Sequence, residues 1–171
     1  MRRAYHYLPL DKYQTLVLTT GVLKPVNQII HESLAAPFGI VNPDEKYLFC
    51  FLDTSEPEYW VTSGWLDDLK RQYKSKYAVV SFDISLDDSA YVLDATELYQ
   101  FMSELGFPAE SFTQELQLKM TDNLQRMKAV YERYLSSKTP LRDYSDTFAM
   151  HELIVAKEIP FSELTLEQIC E

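Results

Sequence analysis

Two apolar runs, KYAVVSFDI (residues 76–84) and AYVLD (Ala90–Asp94), are separated only by the polar turn SLDDS. Elsewhere strand-like and helix-like segments follow one another without regular alternation. A doubly wound fold needs β and α segments in strict turn, so this order favours an α+β fold with a mixed, largely antiparallel sheet and flanking helices. With 171 residues, 46% of them apolar, the chain has material for one packed core and too little for two. Residues 1–171 are therefore read as a single domain.

RRAYHYL reads as a first strand closed by Pro9. A helix is expected over 11–20, with Asp11 and Gln14 at capping-box spacing and Gly21 at its end. Val26, Ile29, Ile30 and Leu34 fall on one face of a second helix, broken by Gly39 and Asn42-Pro43. Residues 46–52 form a buried strand by aromatic density, and 63–73 a helix with acids first and bases last. Asp94 and Glu97 make a second capping box ahead of Leu98, Phe101, Met102 and Leu105, with Gly106 as the stop. The longest helix is expected over about 111–135, with a core-facing stripe of Leu116, Met120, Leu124, Met127, Tyr131 and Tyr134. After a loop over 136–146 comes a last long strand, HELIVAKEI, and a short turn around Leu164.

The net charge is −10 and the pI about 4.7, with acids spread along the chain. Phosphate backbones and anionic membranes are held by Lys and Arg, so this balance disfavours stable nucleic-acid or membrane binding and suits a protein, small-molecule or cationic partner. Cys50 and Cys170 are too few for a disulfide framework. His6, His31 and His151 are too scattered for a metal set. No apolar stretch of signal-peptide or membrane-spanning length occurs, and a reducing cytoplasm is the expected setting.

Most catalytic signatures are missing. Four glycines form neither a GxGxxG nor a P-loop, and HELIV has Val155 where a zincin needs its second histidine. No GxSxG elbow accompanies Cys50 or any serine. What remains lies near the two ends of the sequence. AYHYLPLDKYQTLVLTTGVLKP carries a histidine between two tyrosines, a short helix and a Gly-x-Leu-x-Pro turn, and ELIVAKEIPFSEL carries a Glu before an apolar run that stops at Ile-Pro.

These stretches resemble the opening and the last strands of the ADP-ribosyltransferase-like families, especially the DarT-type enzymes and the related RNA 2′-phosphotransferases. YLFCFLDTSEPEYW and YAVVSFDI fall in the order of their cleft-lining strands, so the likeness spans most of the chain through short motifs. It implies a split sheet with NAD bound between its halves. His6 would hold the nicotinamide-side ribose and Glu152 would be the catalytic carboxylate, stabilising the positive charge that develops on the ribose. Gly21 and Tyr7 would lie beside the cofactor, with Tyr47, Tyr59 or Trp60 against nicotinamide. The pattern departs where DarT-type enzymes carry a cleft arginine: residues 24–70 contain none, leaving Lys24, Lys46 or Arg71.

The same residues have plainer readings. His6 also suits a hydrogen-bonded strand residue, Glu152 a solvated charge at a strand start, and Tyr59, Trp60 and Trp65 anchors of core or loop. His151 and Glu152 point to opposite faces of one strand, so only one of them shares a cleft with His6. Two functions follow: an NAD-dependent ADP-ribosyltransferase acting on a macromolecule, a protein by the charge, or a non-catalytic inhibitor or immunity factor whose acidic surface engages a basic protein.

Overall fold

The computed structural model describes residues 1–30, 35–36, 38–62, 76–105, 118–119 and 121–170. The expected helix at 63–73, with Trp65 and Arg71, lies outside them, as do His31, Leu34, Gly106, Met120 and residues 111–117 of the expected long helix.

Strand β1 (Arg2–Pro9) runs straight into helix α1 (Leu10–Thr19) through Pro9, whose fixed φ suits both a strand end and a helix start. The helix begins one residue before Asp11, so no Asp11 cap bond forms and Asp11 sits in the first turn instead. At the other end Thr20, at φ 45°, takes the left-handed position expected of Gly21. Gly21 has a different constraint: a Cβ there would stand 2.8 Å from Thr19 Oγ1, and that hydroxyl would have to shift from its bond to Thr15 C=O.

Beyond the ribbon strand β2 (Val22–Leu23), the expected helix over 26–34 is not seen at 26–30. Asn27 instead exchanges both backbone bonds with Tyr47, at 3.2 and 2.8 Å. The Asn42 side chain accepts from Ile30 N–H at 3.0 Å and donates to Ile30 C=O at 2.6 Å. A side chain thus meets the backbone needs that a helix would have met.

The remaining elements are β3 (Leu48–Leu52), α2 (Glu58–Thr62), β4 (Tyr77–Ile84), β5 (Ala90–Asp94), α3 (Thr96–Glu104), α4 (Leu124–Ser136), β6 (Thr139–Pro140), β7 (His151–Val155), β8 (Ile159–Pro160) and β9 (Thr165–Cys170). Ahead of α3 the Asp94 carboxylate accepts from Thr96 N–H at 3.0 Å, while Glu97 pairs with Arg133 of α4 instead of closing a capping box. The expected last strand over 151–159 is really two, β7 and β8, and β9 was not foreseen. Its sequence, TLEQIC, lacks the apolar density that marks β3 and β4 because most of it stays exposed.

The fold is a single-domain α+β fold whose strand pairings are all antiparallel among the described residues. Seven strands run in the order β6-β5-β7-β3-β1-β4-β9, and β2 pairs with β8 in a separate ribbon. β4 and β5 are consecutive in sequence yet separated by three strands, four spacings or about 19 Å if the sheet were flat. Their link is folded into a turn, with Ser85 N–H donating to the Asp88 carboxylate at 2.7 Å and Asp88 N–H to Ser85 C=O at 3.1 Å. A turn cannot cover that span, so the sheet curls until its halves face each other. Accordingly Ala4, Leu8, Val80 and Phe82 from one half share a buried cluster with Leu48, Val92, Leu153 and Val155 from the other. The opposite face of β3, β5 and β7 packs on α3 and α4 through Tyr47, Leu93, Phe101, Met127 and Ile154. Leu124, Met127, Tyr131 and Tyr134 of the expected stripe all face this second core, Leu124 from its margin.

Asp88 fixes the curl, since its carboxylate also takes Lys157 Nζ at 2.8 Å beside β7. Asp88→Ala is expected to cost about 1–3 kcal/mol, the penalty of a backbone N–H and a lysine left without their acceptor. Urea unfolding checks it, and a midpoint equal to the wild type would show that the turn does not hold the two halves together.

Candidate functional site

Glu152 is the second residue of β7. Alternation puts it on the face of Ile154 and of its cross-strand partner Leu93, towards α3 and α4. There it is no solvated charge: one carboxylate oxygen accepts from Tyr99 O–H of α3 and the other from Tyr134 O–H of α4. No cation pairs with it among the described residues. Burial raises its pKa above the ordinary carboxylate range, although the two phenol bonds pull the other way. The same burial, with the carboxylate beside them, pushes Tyr99 and Tyr134 well up, and Tyr131 also rises.

Rings wall this carboxylate. Trp60 of α2 meets Tyr99 edge-on at 4.2 Å and also touches Tyr59 at 5.7 Å and Phe51 at 5.8 Å. Phe51 in turn contacts Tyr7 at 5.8 Å. Tyr7, Tyr59, Trp60 and Glu152 are thus gathered along one side of the sheet. Tyr7 O–H donates to Ser55 C=O at 2.9 Å and Tyr59 O–H to His151 C=O at 2.9 Å, so both rings are tethered to backbone.

His6 is not among them. Its neighbour across β4 is Val80, and with Ala4 and Leu8 it faces the interior between the curled halves. Its Nδ1 lies 2.8 Å from Phe49 C=O. A carbonyl oxygen only accepts, so Nδ1 carries the proton and, in the neutral ring, Nε2 is left as an acceptor. Burial lowers the His6 pKa and keeps that ring neutral. This is the plain reading of His6, a hydrogen-bonded strand residue. By alternation it is His151, not Glu152, that shares the His6 face.

Gly21 lies at the joint between α1 and the ribbon, where its C=O accepts from Phe161 N–H at 3.0 Å. Tyr47 is fully buried, its hydroxyl bonded to Glu45, with Lys138 Nζ at 2.7 Å from the oxygen and 4.9 Å above the ring. Of the cations weighed for the absent arginine, Lys24 pairs with Glu158 at 3.6 Å on the surface. Lys46 instead lines a groove of about 380 Å³ with Phe49 and the segment from Val26 to Ile30. Phe49 is two residues from Phe51 and shares its face, which is also that of Glu152.

The two stretches that carry the family likeness meet directly: Val22 pairs with Pro160 and Leu23 with Ile159. The split that the likeness implies is not seen among the described residues, since seven strands form one sheet, but that sheet is thin at one place. β1 joins β3 only through Ala4–Leu52 and Tyr5–Phe51, and beyond this the His6–Phe49 bond replaces the ladder.

Sequence reasoning missed Tyr99 as a partner of Glu152, although Tyr134 already stood in the α4 stripe. Tyr99 gave little signal, because it sits at the margin of the apolar face of Leu98, Phe101 and Met102 on α3 and not within it. Among the described residues no group of His, Cys, Asp and Glu suits a metal, and no helix is long and apolar enough to cross a membrane. Compared with protein-family models, curated proteins and solved structures, the chain matches none.

Because the folded pKa of Glu152 is raised, its stabilising contribution is complete below the ordinary carboxylate pKa and is lost as pH rises through the folded value. Glu152→Gln, which still offers a carbonyl to one phenol, is expected to gain stability relative to the wild type as pH goes from about 4.5 to 7. Glu152→Ala strands both hydroxyls and is expected to lose about 2–4 kcal/mol near pH 4.5, a loss that shrinks as the wild-type carboxylate ionises at higher pH. Denaturant titrations of the three proteins at several pH values check both, and parallel pH profiles for wild type and Glu152→Gln would show that the carboxylate is not buried.

Proposed function

We propose that this chain is an NAD-dependent ADP-ribosyltransferase acting on a protein, with Glu152 as its catalytic carboxylate. The observation that carries the reading is Glu152 itself: a carboxylate held among aromatic rings, with no cation among the described residues to offset its burial. Such a group costs several kcal/mol to keep folded, and perturbed acids of this kind concentrate at functional sites. The pairing of β2 with β8, which brings together the two stretches that carry the family likeness, supports the likeness that suggested the chemistry.

NAD would supply the ADP-ribosyl group and lose nicotinamide with the electron pair of the glycosidic bond. The chain's own residues fit that task in part. Glu152 offers negative charge to a ribose turning cationic, and a low-dielectric ring of Trp60, Tyr59 and Tyr99 strengthens it. Lys46, in the groove beside Phe49, is among the described residues the cation best placed for a diphosphate. His6 does not join them, because it faces the interior on the other side of the sheet.

A second reading has its own observation. Both oxygens of Glu152 are already taken by phenols, which suits a structural tether in a non-catalytic acidic protein that binds a basic partner. NAD separates the two. For the transferase, millimolar NAD is expected to raise the melting temperature, Lys46→Ala to weaken that shift, and Glu152→Gln to keep it while losing nicotinamide release. Should NAD leave both the melting curve and the calorimetric baseline of the folded protein unchanged, the transferase reading is wrong and salt-sensitive binding to basic proteins becomes the property to measure.

A further inference from the structure

The seven-stranded sheet has two edges of very different character. At one, β6 is two residues long and ends in Pro140, which has no N–H to offer. At the other, β9 has six residues, of which Thr165 through Ile169 are exposed, and among the described residues it pairs only with β4. Its outer row of backbone groups faces solvent.

A bulge shapes this edge. Thr165 pairs with Ser81, Leu166 with Val80, Gln168 with Val79, Ile169 with Ala78 and Cys170 with Tyr77, leaving Glu167 as the extra residue. Leu166 and Ile169 therefore lie on the same face as Val80 and Ala78. Thr165, Gln168 and Cys170 lie on the other. Glu167 joins that second face, since its carboxylate accepts from Ser81 O–H and from Arg3 at 3.3 Å. Read from 165 to 170, the facing pattern is the same in both directions about the midpoint between Glu167 and Gln168.

Such symmetry matters for pairing with an identical strand. A two-fold axis perpendicular to a sheet keeps each residue on its own face, so antiparallel self-pairing must match faces residue by residue. In this strand one register matches all six: 165 with 170, 166 with 169, and 167 with 168 of the second copy. That register sets Leu166 against Ile169, which are 41% and 44% exposed in the single chain. It also sets Glu167 against the neutral Gln168. A slip of one residue would bring Glu167 against Glu167 of the second copy or against an isoleucine on the wrong face.

We propose that β9 is a homodimerisation edge, where two copies of this chain pair antiparallel about a dyad between Glu167 and Gln168 and join their sheets into one. The palindromic facing pattern of the bulged strand, the match of its two apolar pairs and the lack of a like-charge pair across the dyad select a second copy as the occupant. The contact is a single strand's width, below the area of a standard interface, and each copy carries −10, so the dimer is weak and tightens with added salt.

Sedimentation equilibrium over roughly 1 µM to 1 mM, the range in which so small an interface associates, tests it. The full chain is expected to dimerise. Gln168→Glu, which creates a like-charge pair on both sides of the dyad, is expected to weaken the dimer about tenfold or more, and Gln168→Lys to strengthen it. Thr165→Cys stands opposite Cys170 of the second copy at the spacing of paired strand residues, so diamide oxidation is expected to give a reducible dimer that Thr165→Cys/Cys170→Ser does not give. Circular dichroism checks that each variant stays folded. A monomer at every concentration overturns the proposal, and so does a dimer indifferent to the charge at 168 and without the cross-link.

Discussion

Strand β1 is the member on which both halves of the sheet depend. It is joined to β4 by eight residue pairs and to β3 by two. That imbalance lets the sheet curl, because a long ladder on both sides would hold the strands in a continuous twist. Where the ladder stops, the buried His6 Nδ1–H takes over and bonds the free carbonyl of Phe49. An apolar residue at position 6 would leave that carbonyl inside the fold with no donor, so the histidine is explained by the backbone before any ligand is considered. The interior closed by the curl holds Val80, Phe82, Leu153 and Val155, and these decide where the outer faces, with Glu152 on one of them, are aimed.

A second joint lies at the strand ends. Arg2 donates to the carboxylates of both Asp53 and Asp146, two residues at positive φ, and the opposite charges outweigh desolvation in raising its pKa. Aspartate tolerates the left-handed region because its short side chain bonds locally. Here each bonds the same guanidinium instead, which ties the loop after β3 and the loop before β7 to the start of β1. These loops lead into α2 with Tyr59 and into β7 with His151, so Arg2 ties the approaches to both elements together.

Much of this was legible in the sequence. Dense apolar runs located β3, β4, β5 and the start of β7, since strands buried on both faces cannot hide their composition. The α+β class followed from the order of elements. Four features were lost for physical reasons. β9 is an exposed edge, and its sequence reads like a loop. The segment 26–30 has helical periodicity, yet a side chain from Asn42 satisfies the backbone of Ile30 and removes the need for a helix. Helix α1 starts directly after a proline that takes the N-cap position, so its acid sits in the first turn without capping it. The face of His6 against that of Glu152 depended on the register through β3, which no local pattern encodes.

The tyrosine pair around Glu152 shows why site and scaffold are hard to separate in this fold. Burying a carboxylate costs several kcal/mol, and two phenol O–H bonds to a charged oxygen return about 1.5–3 kcal/mol each. The sum is near zero, so the arrangement adds little stability whatever its use. What it does provide is position: Tyr99 and Tyr134 come from different helices, and both are fixed to a single residue of β7. Apolar residues at 99, 134 and 152 together would pack these helices as firmly but would leave no bond that fixes their rotation about the strand. Selection for stability alone would have no reason to keep the charge. Its presence points either to chemistry performed by the carboxylate or to a requirement for that one helix orientation. NAD distinguishes the two, because only the first demands that a phenol give up its oxygen to a substrate.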